Sequence, residues 1–184
     1  MSEISQSPRR ILLIANPVAG GDALAKIHQA RECLAARGDR VELRLTGARG
    51  DAARFAREAR NGAVDLLVAA GGDGTLNEVI NGLAPSVLPL AFIPLGTTNV
   101  FALEAGIPFD IPGACRVALD GAATPVSLGL AGETRFLLMA GAGFDAEVVR
   151  RVDLRLKRRL GKLAYVVSAL RVFFGPPFPA IEVE

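Results

Sequence analysis

The segment Gly71–Thr75 has the composition of a loop that binds phosphate, with three glycines, one Asp and one Thr in five residues. Glycine permits backbone angles that other residues avoid and lets a ligand approach the main chain closely. Free N–H groups at the start of a following helix attract an anion. Asp73 cannot favour a phosphate by itself, so its expected partner is Mg²⁺-bound water or a ribose or acceptor hydroxyl. The alternative is a tight strand-to-helix turn in which Asp73 is the helix N-cap.

Two more segments rich in small and amide residues follow other apolar runs. Asn16–Gly20 reads NPVAG and comes directly after RILLIA, and residues 94–99 read PLGTTN and come after a run at 90–93. In open parallel sheets, ligands bind beyond the carboxyl ends of the strands. Because all three segments fall at such ends, we expect them to meet and to hold the phosphates of a nucleoside triphosphate.

Alternating apolar runs and helical spacings define the elements that must position these segments. The order strand, helix, strand predicts βαβ units, a parallel sheet and helices on both of its faces, which is a three-layer α/β/α fold. An aromatic content of 5% without Trp suits such a sheet. The predicted strands are 10–15, 41–45, 65–70 and 90–93, and the predicted helices are 22–37 with Asp22 as N-cap and Gly38 as stop, 51–61, 75–83 and 97–105.

The pattern changes after about residue 120. Strands are predicted at 125–130 and 135–140 with a turn at Gly132, and a helical stretch is predicted from 145 to about 174. Residues 181–184 alternate like the first strand of a further element. We therefore predict a first domain over 1–122 and an incomplete second domain over 123–184.

The composition excludes several classes of protein. Apolar residues make up 51% and charged residues 22%, which is typical of a folded globular protein. Residues 150–184 carry 8 basic and 3 acidic side chains, whereas the rest of the chain is slightly acidic, so a uniformly basic nucleic-acid binder is not expected. No window offers the ~20 apolar residues of a membrane span. Cys33 and Cys115 are expected to be free thiols in helical segments of a cytoplasmic protein, and His28 is assigned no chemistry.

The basic residues between Arg150 and Lys162 precede an apolar helical stretch, LAYVVSALRVFF. One interpretation is peripheral contact of residues 150–174 with the anionic inner face of a membrane. The other is a helix packed on the protein with its basic side chains in solvent. The sequence leaves both open.

These motifs resemble those of the diacylglycerol kinase catalytic-domain family. The Gly71–Thr75 segment is similar to a signature shared with sphingosine kinases, NAD kinases and, more loosely, phosphofructokinases. Asn16–Gly20 resembles the N-P-x-x-G motif of the diacylglycerol kinases, residues 94–99 resemble their second glycine loop, and Gly141–Ala146 resembles a later G-x-G-F-D-A segment. The matches stand in the family's order, cover nearly the whole chain and look most like the bacterial soluble lipid kinases. The resemblance implies an α/β nucleotide domain followed by a β-rich domain, cut short here at residue 184.

The resemblance also implies roles for individual residues. ATP and Mg²⁺ are the implied cofactors, and Asp73 is the implied catalytic residue. Thr46 is an implied nucleotide contact, although a turn-forming Thr before Gly47 explains it equally well. Asn16 and Asn99 are expected to brace the loops through backbone hydrogen bonds. The full set of implied nucleotide-binding residues is Thr46, Gly71, Gly72, Asp73, Gly74, Thr75, Asn77, Gly96 and Thr97.

The chain departs from the family pattern at two places. Val100 stands where many members have an Asp, so one carboxylate is missing. The family's general base, a Glu in a D-G-E segment, and its structural Mg²⁺ site have no counterpart in this sequence, so no metal ligand is identified. An acceptor hydroxyl needs positioning and usually a base. This chain is therefore expected to bind nucleotide better than it catalyses.

Three functions follow from these observations. The first is the nucleotide-binding part of a lipid kinase of phospholipid metabolism, which transfers the γ-phosphoryl group of ATP to a lipid hydroxyl such as that of diacylglycerol at a membrane surface. The second is a soluble kinase of the NAD kinase type, which shares the glycine segment but neither N-P-x-x-G nor the second loop. The third is a nucleotide-binding module without catalytic activity. A homo-oligomer is left open.

Overall fold

A computed structural model describes residues 7–60, 62, 64–141, 143–152 and 163–174. The chain divides into two compact units, Met1–Leu138 and Met139–Glu184. Each unit is described by itself.

The first unit is built on a parallel sheet of four strands in the order β2-β1-β3-β4. The two central strands are apolar and buried along almost their whole length, whereas the edge strand β2 alternates with charged residues and is partly exposed. All four predicted strands are confirmed to within one residue at each end. They are β1 (Arg10–Ala15), β2 (Arg40–Leu45), β3 (Leu66–Gly71) and β4 (Leu90–Pro94).

Helices cover both faces of this sheet, so the predicted three-layer α/β/α fold is confirmed. One face packs against α1 and α5 through side chains such as Ile27, Leu34 and Cys115. The other packs against α2, α3 and α4 through side chains such as Leu76, Val79 and Ala102. Full burial of a Leu or Ile side chain stabilises a fold by roughly 1.5–3 kcal/mol. The helices are α1 (Ala23–Ala35), α2 (Asp51–Ala59), α3 (Asp73–Leu83), α4 (Val100–Glu104) and α5 (Ile111–Asp120).

Two helix starts differ from the prediction because of left-handed backbone conformations. Asp22 lies at the N-cap position of α1 with φ 54°, and its side chain makes no capping hydrogen bond. The helix predicted from residue 97 begins at Val100 instead, since Asn99 has φ 50° and ψ 56° and cannot belong to an α-helix. The start of α1 therefore lacks the side-chain cap predicted from Asp22, and the start of α4 lies three residues later than predicted.

Where α5 lies, the sequence predicted only a helical segment around Cys115, without bounds. Its start carries two sequence signals, an N-cap Asp and a proline in the first turn. The Asp110 carboxylate accepts a 2.8 Å hydrogen bond from the Gly113 N–H, and Pro112 stands beside Ile111 in the first turn. These local signals account for the helix.

A short antiparallel hairpin, β5 (Gly129–Ala131) and β6 (Thr134–Phe136), follows α5. The predicted turn at Gly132 is confirmed with φ 59°. The predicted strands 125–130 and 135–140 were too long. Asn81 of α3 fixes the hairpin, because its Oδ1 accepts from the Arg135 N–H and its Nδ2 donates to the Arg135 carbonyl, both at 2.8 Å. The hairpin thus lies in the first compact unit, and the division predicted at residue 122 stays a prediction.

The described part of the second unit contains two helices, α6 (Phe144–Arg150) and α7 (Leu163–Phe173). They pack together, and the Ser168 hydroxyl donates a 2.7 Å hydrogen bond to the Val148 carbonyl. The helix predicted over 145–174 is therefore not continuous, because α6 ends at Arg150. Residues 153–162 lie outside the described residues. So do Ala142 of the G-x-G-F-D-A motif and the strand predicted at 181–184.

The predicted membrane contact of residues 150–174 stays a prediction. Most of the basic cluster lies outside the described residues, but Arg150 at the end of α6 and Arg151 just after it both form ion pairs with Glu147. The outer side of α7 carries exposed apolar side chains, among them Leu170 and Phe173. Within the described ranges, no helix has the length and apolar character needed to span a membrane.

Candidate functional site

Four loops leave the sheet at its carboxyl edge, and three of them are tied to a neighbouring strand by a backbone hydrogen bond. The Asn16 N–H donates to the Ala70 carbonyl over 2.9 Å, which joins the loop after β1 to β3. The Thr46 N–H donates to the Ala15 carbonyl over 2.9 Å, which joins the loop after β2 to β1. The Leu95 N–H donates to the Gly71 carbonyl over 2.7 Å, which joins the loop after β4 to β3. The ladder of the sheet therefore continues into the loops.

The glycine segment forms the start of α3. Gly72 is the N-cap residue in an extended conformation, and its carbonyl accepts from the Thr75 and Leu76 N–H groups at 2.9 and 3.1 Å. Asp73 is the first residue inside the helix, and its side chain makes no capping bond to α3. The alternative in which Asp73 caps α3 is therefore wrong.

The Asp73 carboxylate caps a different helix. Its Oδ2 accepts from the Val100 N–H at 3.0 Å and its Oδ1 from the Phe101 N–H at 3.1 Å. A carboxylate at a helix N-terminus is favoured by the free N–H groups and the helix dipole. Each oxygen keeps a further lone pair, so this partly exposed carboxylate can hold α4 and still accept from a ligand hydroxyl or a metal-bound water.

Asn99 closes the second loop. Its side chain is almost fully buried and bonds both backbone groups of Gly96, with Oδ1 accepting from the N–H at 3.0 Å and Nδ2 donating to the carbonyl at 2.7 Å. Gly96 in turn touches Gly72, since a Cβ at position 96 would lie 2.7 Å from the Gly72 Cα. Only glycine fits there, and the two loops are held in backbone contact.

Asn16 organises the first loop. Its Oδ1 accepts from the Val18 N–H at 3.0 Å, and its Nδ2 donates to the Thr75 hydroxyl at 3.4 Å. Farther along, a Cβ on Gly20 would clash with the Leu95 carbonyl. The first loop therefore contacts both the glycine segment and the second loop.

The predicted nucleotide-binding residues differ in how accessible they are. Thr75 is buried and bonded to Asn16, whereas Gly74 and Thr97 are exposed. An added Cβ on Gly74 would meet nothing within 4 Å. Asn77 and Thr46 are partly exposed. Open main chain at the first turn of α3, beside the exposed Thr97 loop, is suited to an anionic ligand.

The loop at residues 46–50 is fixed by two carboxylates that the sequence interpretation did not single out. The Asp51 Oδ2 accepts from the Gly47 and Ala48 N–H groups, both at 2.9 Å, and these bonds, with the Arg54 guanidinium, lower the pKa of that carboxyl. The Glu78 carboxylate of α3 accepts from the Gly50 N–H at 2.9 Å. This loop is therefore bound to the helix that begins at the glycine segment.

No cluster of three or more His, Cys, Asp or Glu side chains suited to a metal ion occurs within the described part of the chain. Mg²⁺ does not require one, because it is commonly held by one or two carboxylates together with substrate phosphates and water. Asp73 is a carboxylate at the loops that fits this manner of binding. The donor set is therefore compatible with a metal ion that arrives together with a nucleotide.

Comparison with known proteins identifies the class. Residues 10–131 match the model of the diacylglycerol kinase catalytic domain, so the chain belongs to that family. It is 38% identical over 180 residues to the diacylglycerol kinase of Bacillus subtilis strain 168, covering 96% of this chain. Two structures from Bacillus anthracis strain Sterne are similar to it. One covers 93% of this chain with a TM-score of 0.73 and 35% identity, and the other, a diacylglycerol kinase, covers 72% with a TM-score of 0.64 and 36% identity.

The chain spans only part of these relatives. It covers 59% of the Bacillus subtilis protein and 58% and 51% of the two Bacillus anthracis chains. The resemblance in sequence, including all three loop segments, lies in the part that is matched. The family assignment and the kinase fold are therefore shown for this chain.

Proposed function

We propose that this chain is the nucleotide-binding part of a lipid kinase that transfers the γ-phosphoryl group of ATP, with Mg²⁺, to a lipid hydroxyl such as that of diacylglycerol. The observation that carries the proposal is the open main chain at Gly74, at the first turn of a helix whose loop is locked against two others. A site that is fixed before the ligand binds loses little entropy on binding. The family membership of the chain supports the reaction class.

Phosphoryl transfer depends mainly on positioning and on stabilising charge. In this proposal, N–H groups of the first turn of α3 and the hydroxyl of the exposed Thr97 hold the phosphates. Asp73 and Asn99 keep the second loop in place while the ligand binds. Mg²⁺, when bound with the nucleotide, neutralises phosphate charge, and the Asp73 carboxylate is its proposed protein contact.

No described residue is assigned to binding the lipid acceptor or to removing the proton of its hydroxyl. A general base comparable to the Glu of a D-G-E segment is absent from the sequence. We propose that the lipid is met at a membrane surface, in keeping with a cytoplasmic protein that acts on the inner face. The chain by itself is proposed to bind ATP with little or no turnover.

The test has a binding arm and a transfer arm. Calorimetry with ATP, with and without Mg²⁺, measures binding to the chain of 184 residues. Incubation with γ-labelled ATP, Mg²⁺ and mixed micelles of diacylglycerol measures transfer, with NAD as the competing acceptor. We expect ATP binding and, where any label moves, labelled lipid. Absence of ATP binding, or labelled NADP in place of lipid, contradicts the proposal.

A further inference from the structure

The four loops at the carboxyl edge contain very little positive charge. They comprise residues 16–22, 46–50, 71–77 and 94–99, and Arg49 is the only Lys or Arg among these residues. A nucleoside triphosphate carries three to four negative charges near neutral pH, and backbone N–H groups alone offset only partial charges. Mg²⁺ offsets only part of this charge, so the proposed ligand stays anionic and a further cation at this edge favours its binding. Arg49 is the candidate that the sequence offers there.

Arg49 sits on the loop that is bound to the helix of the glycine segment. Its neighbour Gly50, with φ 92°, donates its N–H to the Glu78 carboxylate at 2.9 Å. Glu78 follows Asn77 in α3, one helical turn beyond Gly74. Because α2 and α3 pack side by side, the loop entering α2 lies next to the first turns of α3. The Arg49 side chain has four rotatable bonds, so we expect its guanidinium to reach the first turn of α3 from this loop.

The carboxylates around Arg49 are already engaged with other donors. Asp51 accepts from the Gly47 and Ala48 N–H groups and from the Arg54 guanidinium at 3.0 Å. Glu78 accepts from Gly50, and Asp73 from the start of α4. Arg49 is exposed and makes no hydrogen bond or ion pair with any residue that the structure describes. Its loop is fixed while its guanidinium stays available.

We propose that Arg49 binds the phosphate chain of the nucleotide and supplies the positive charge that the glycine loops lack. The inference rests on the proposed function. Guanidinium and phosphate form charge-assisted, bidentate hydrogen bonds, which makes Arg suited to this contact. Pinning of the loop by Asp51 and Glu78 places the charge before the ligand arrives.

A contact with phosphates predicts a dependence on their number. Removal of the guanidinium weakens binding most for ATP, less for ADP and least for AMP, because the attraction grows with the ligand's charge. A contact with the base or ribose, or a merely structural role, weakens all three ligands equally. Added salt screens the phosphate contact, so the affinity of the unsubstituted chain falls faster with salt than that of Arg49→Ala.

The experiment measures the dissociation constants of ATP, ADP and AMP for the unsubstituted chain, Arg49→Ala and Arg49→Lys. Arg57→Ala is the matched control, since Arg57 is also exposed, lies in α2 and has no bonded partner in the described part of the chain. Thermal unfolding of each variant shows whether the fold is intact. We expect Arg49→Ala to weaken ATP about tenfold and AMP less than about twofold, Arg49→Lys to recover part of the loss, and Arg57→Ala to change neither.

The outcomes separate the two proposals. If the unsubstituted chain does not bind ATP, both the proposed function and the role of Arg49 are wrong. If it binds ATP, and Arg49→Ala weakens the binding of all three nucleotides equally or of none, only the role of Arg49 is wrong. If Arg57→Ala lowers ATP affinity as much as Arg49→Ala, the effect is a general change of surface charge and the assignment is overturned.

Discussion

The Asp73 carboxylate accepts a 3.0 Å hydrogen bond from the Val100 N–H, although the two residues stand 27 positions apart. A second bond, from the Phe101 N–H, completes the pair. The acid of the glycine segment thus acts as the cap of α4, a helix of five residues that has no side-chain cap from its own N-cap residue. Asp73 therefore links the glycine segment to the start of α4.

Asp73→Asn tests this link. The amide keeps one acceptor and turns an NH₂ group toward a backbone N–H, so one hydrogen bond is lost and two donors face each other. We expect about 1–3 kcal/mol lower free energy of unfolding and faster hydrogen exchange at Val100 and Phe101. We also expect weaker ATP binding even without Mg²⁺, since the second loop is released.

The comparison with Mg²⁺ distinguishes positioning from metal binding. If Asp73→Asn leaves ATP binding without Mg²⁺ and the exchange of both amides unchanged, and lowers affinity only when Mg²⁺ is present, then the bond to α4 has no functional weight. The carboxylate would in that case act on the metal alone.

Gly74 and Gly82, in the same helix, have opposite surroundings. An alanine Cβ at 74 meets nothing within 4 Å, whereas at 82 it lies 2.7 Å from the carbonyl carbon of Ala53 in α2. We expect Gly74→Ala to stabilise the chain by about 0.5–1 kcal/mol through helix propensity. Gly82→Ala is expected to destabilise it by at least ~1–3 kcal/mol through overpacking. Urea unfolding measures both changes.

The same pair also reports on the site. The open space beside Gly74 is where we place the ligand, so Gly74→Ala should weaken ATP binding in a more stable protein. Stability and binding then move in opposite directions, which misfolding cannot produce. Unchanged ATP affinity in Gly74→Ala would mean that the phosphates lie elsewhere.

The two thiols are expected to differ in reactivity. Burial, with a smaller contribution from nearby Cys33, raises the pKa of the Cys115 thiol to about 12, and the Cys115 thiol contacts the Ala30 carbonyl. At pH 8 only about one Cys115 in 10⁴ is the reactive thiolate. We expect an alkylating reagent to modify the half-buried Cys33 first and Cys115 only after unfolding. Cys33→Ser and Cys115→Ser identify the modified residue by mass.

The sign of the pH dependence follows from the raised pKa. Because the folded protein holds the Cys115 proton more tightly than the unfolded chain, the contribution to stability is complete below the ordinary thiol pKa. It is lost as the pH rises toward about 12. Cys115→Ser should therefore reduce the alkaline loss of stability. Equal rates of alkylation at both thiols in the native protein would contradict the expected protection of the buried Cys115.

The sheet and the position of the loops could be predicted from the sequence because they depend on local patterns. A short apolar run such as residues 10–15, bounded by turn residues, indicates a buried strand, and the loop after each parallel strand must lie at the same edge. The turn at Gly132 was predictable for the same reason. The short lengths of β5 and β6 were not predictable, since a strand extends only as far as its residues pair with a neighbouring strand.

The partners of the site residues required the tertiary structure. The sequence shows that Asp73 opens a helix, and only the packing of α4 beside it decides that the carboxylate caps another element. The left-handed conformation of Asn99 is one that Asn tolerates better than most residues, and its two bonds to Gly96 hold it there. The role of Glu78 as an acceptor for the Gly50 N–H could not be predicted from residue spacing. Glu78 lies in α3, whereas Gly50 is the N-cap residue of α2.

The bonds between Asn81 and Arg135 have a consequence for solubility. In the pairing of β5 with β6, Arg135 faces Leu130, and its own N–H and carbonyl bond to the Asn81 side chain of α3. An unpaired N–H and carbonyl on an edge strand is a template on which a foreign strand can add. The Asn81 amide resembles a peptide group and occupies these positions on β6, so a helix side chain blocks the addition of a foreign strand at Arg135.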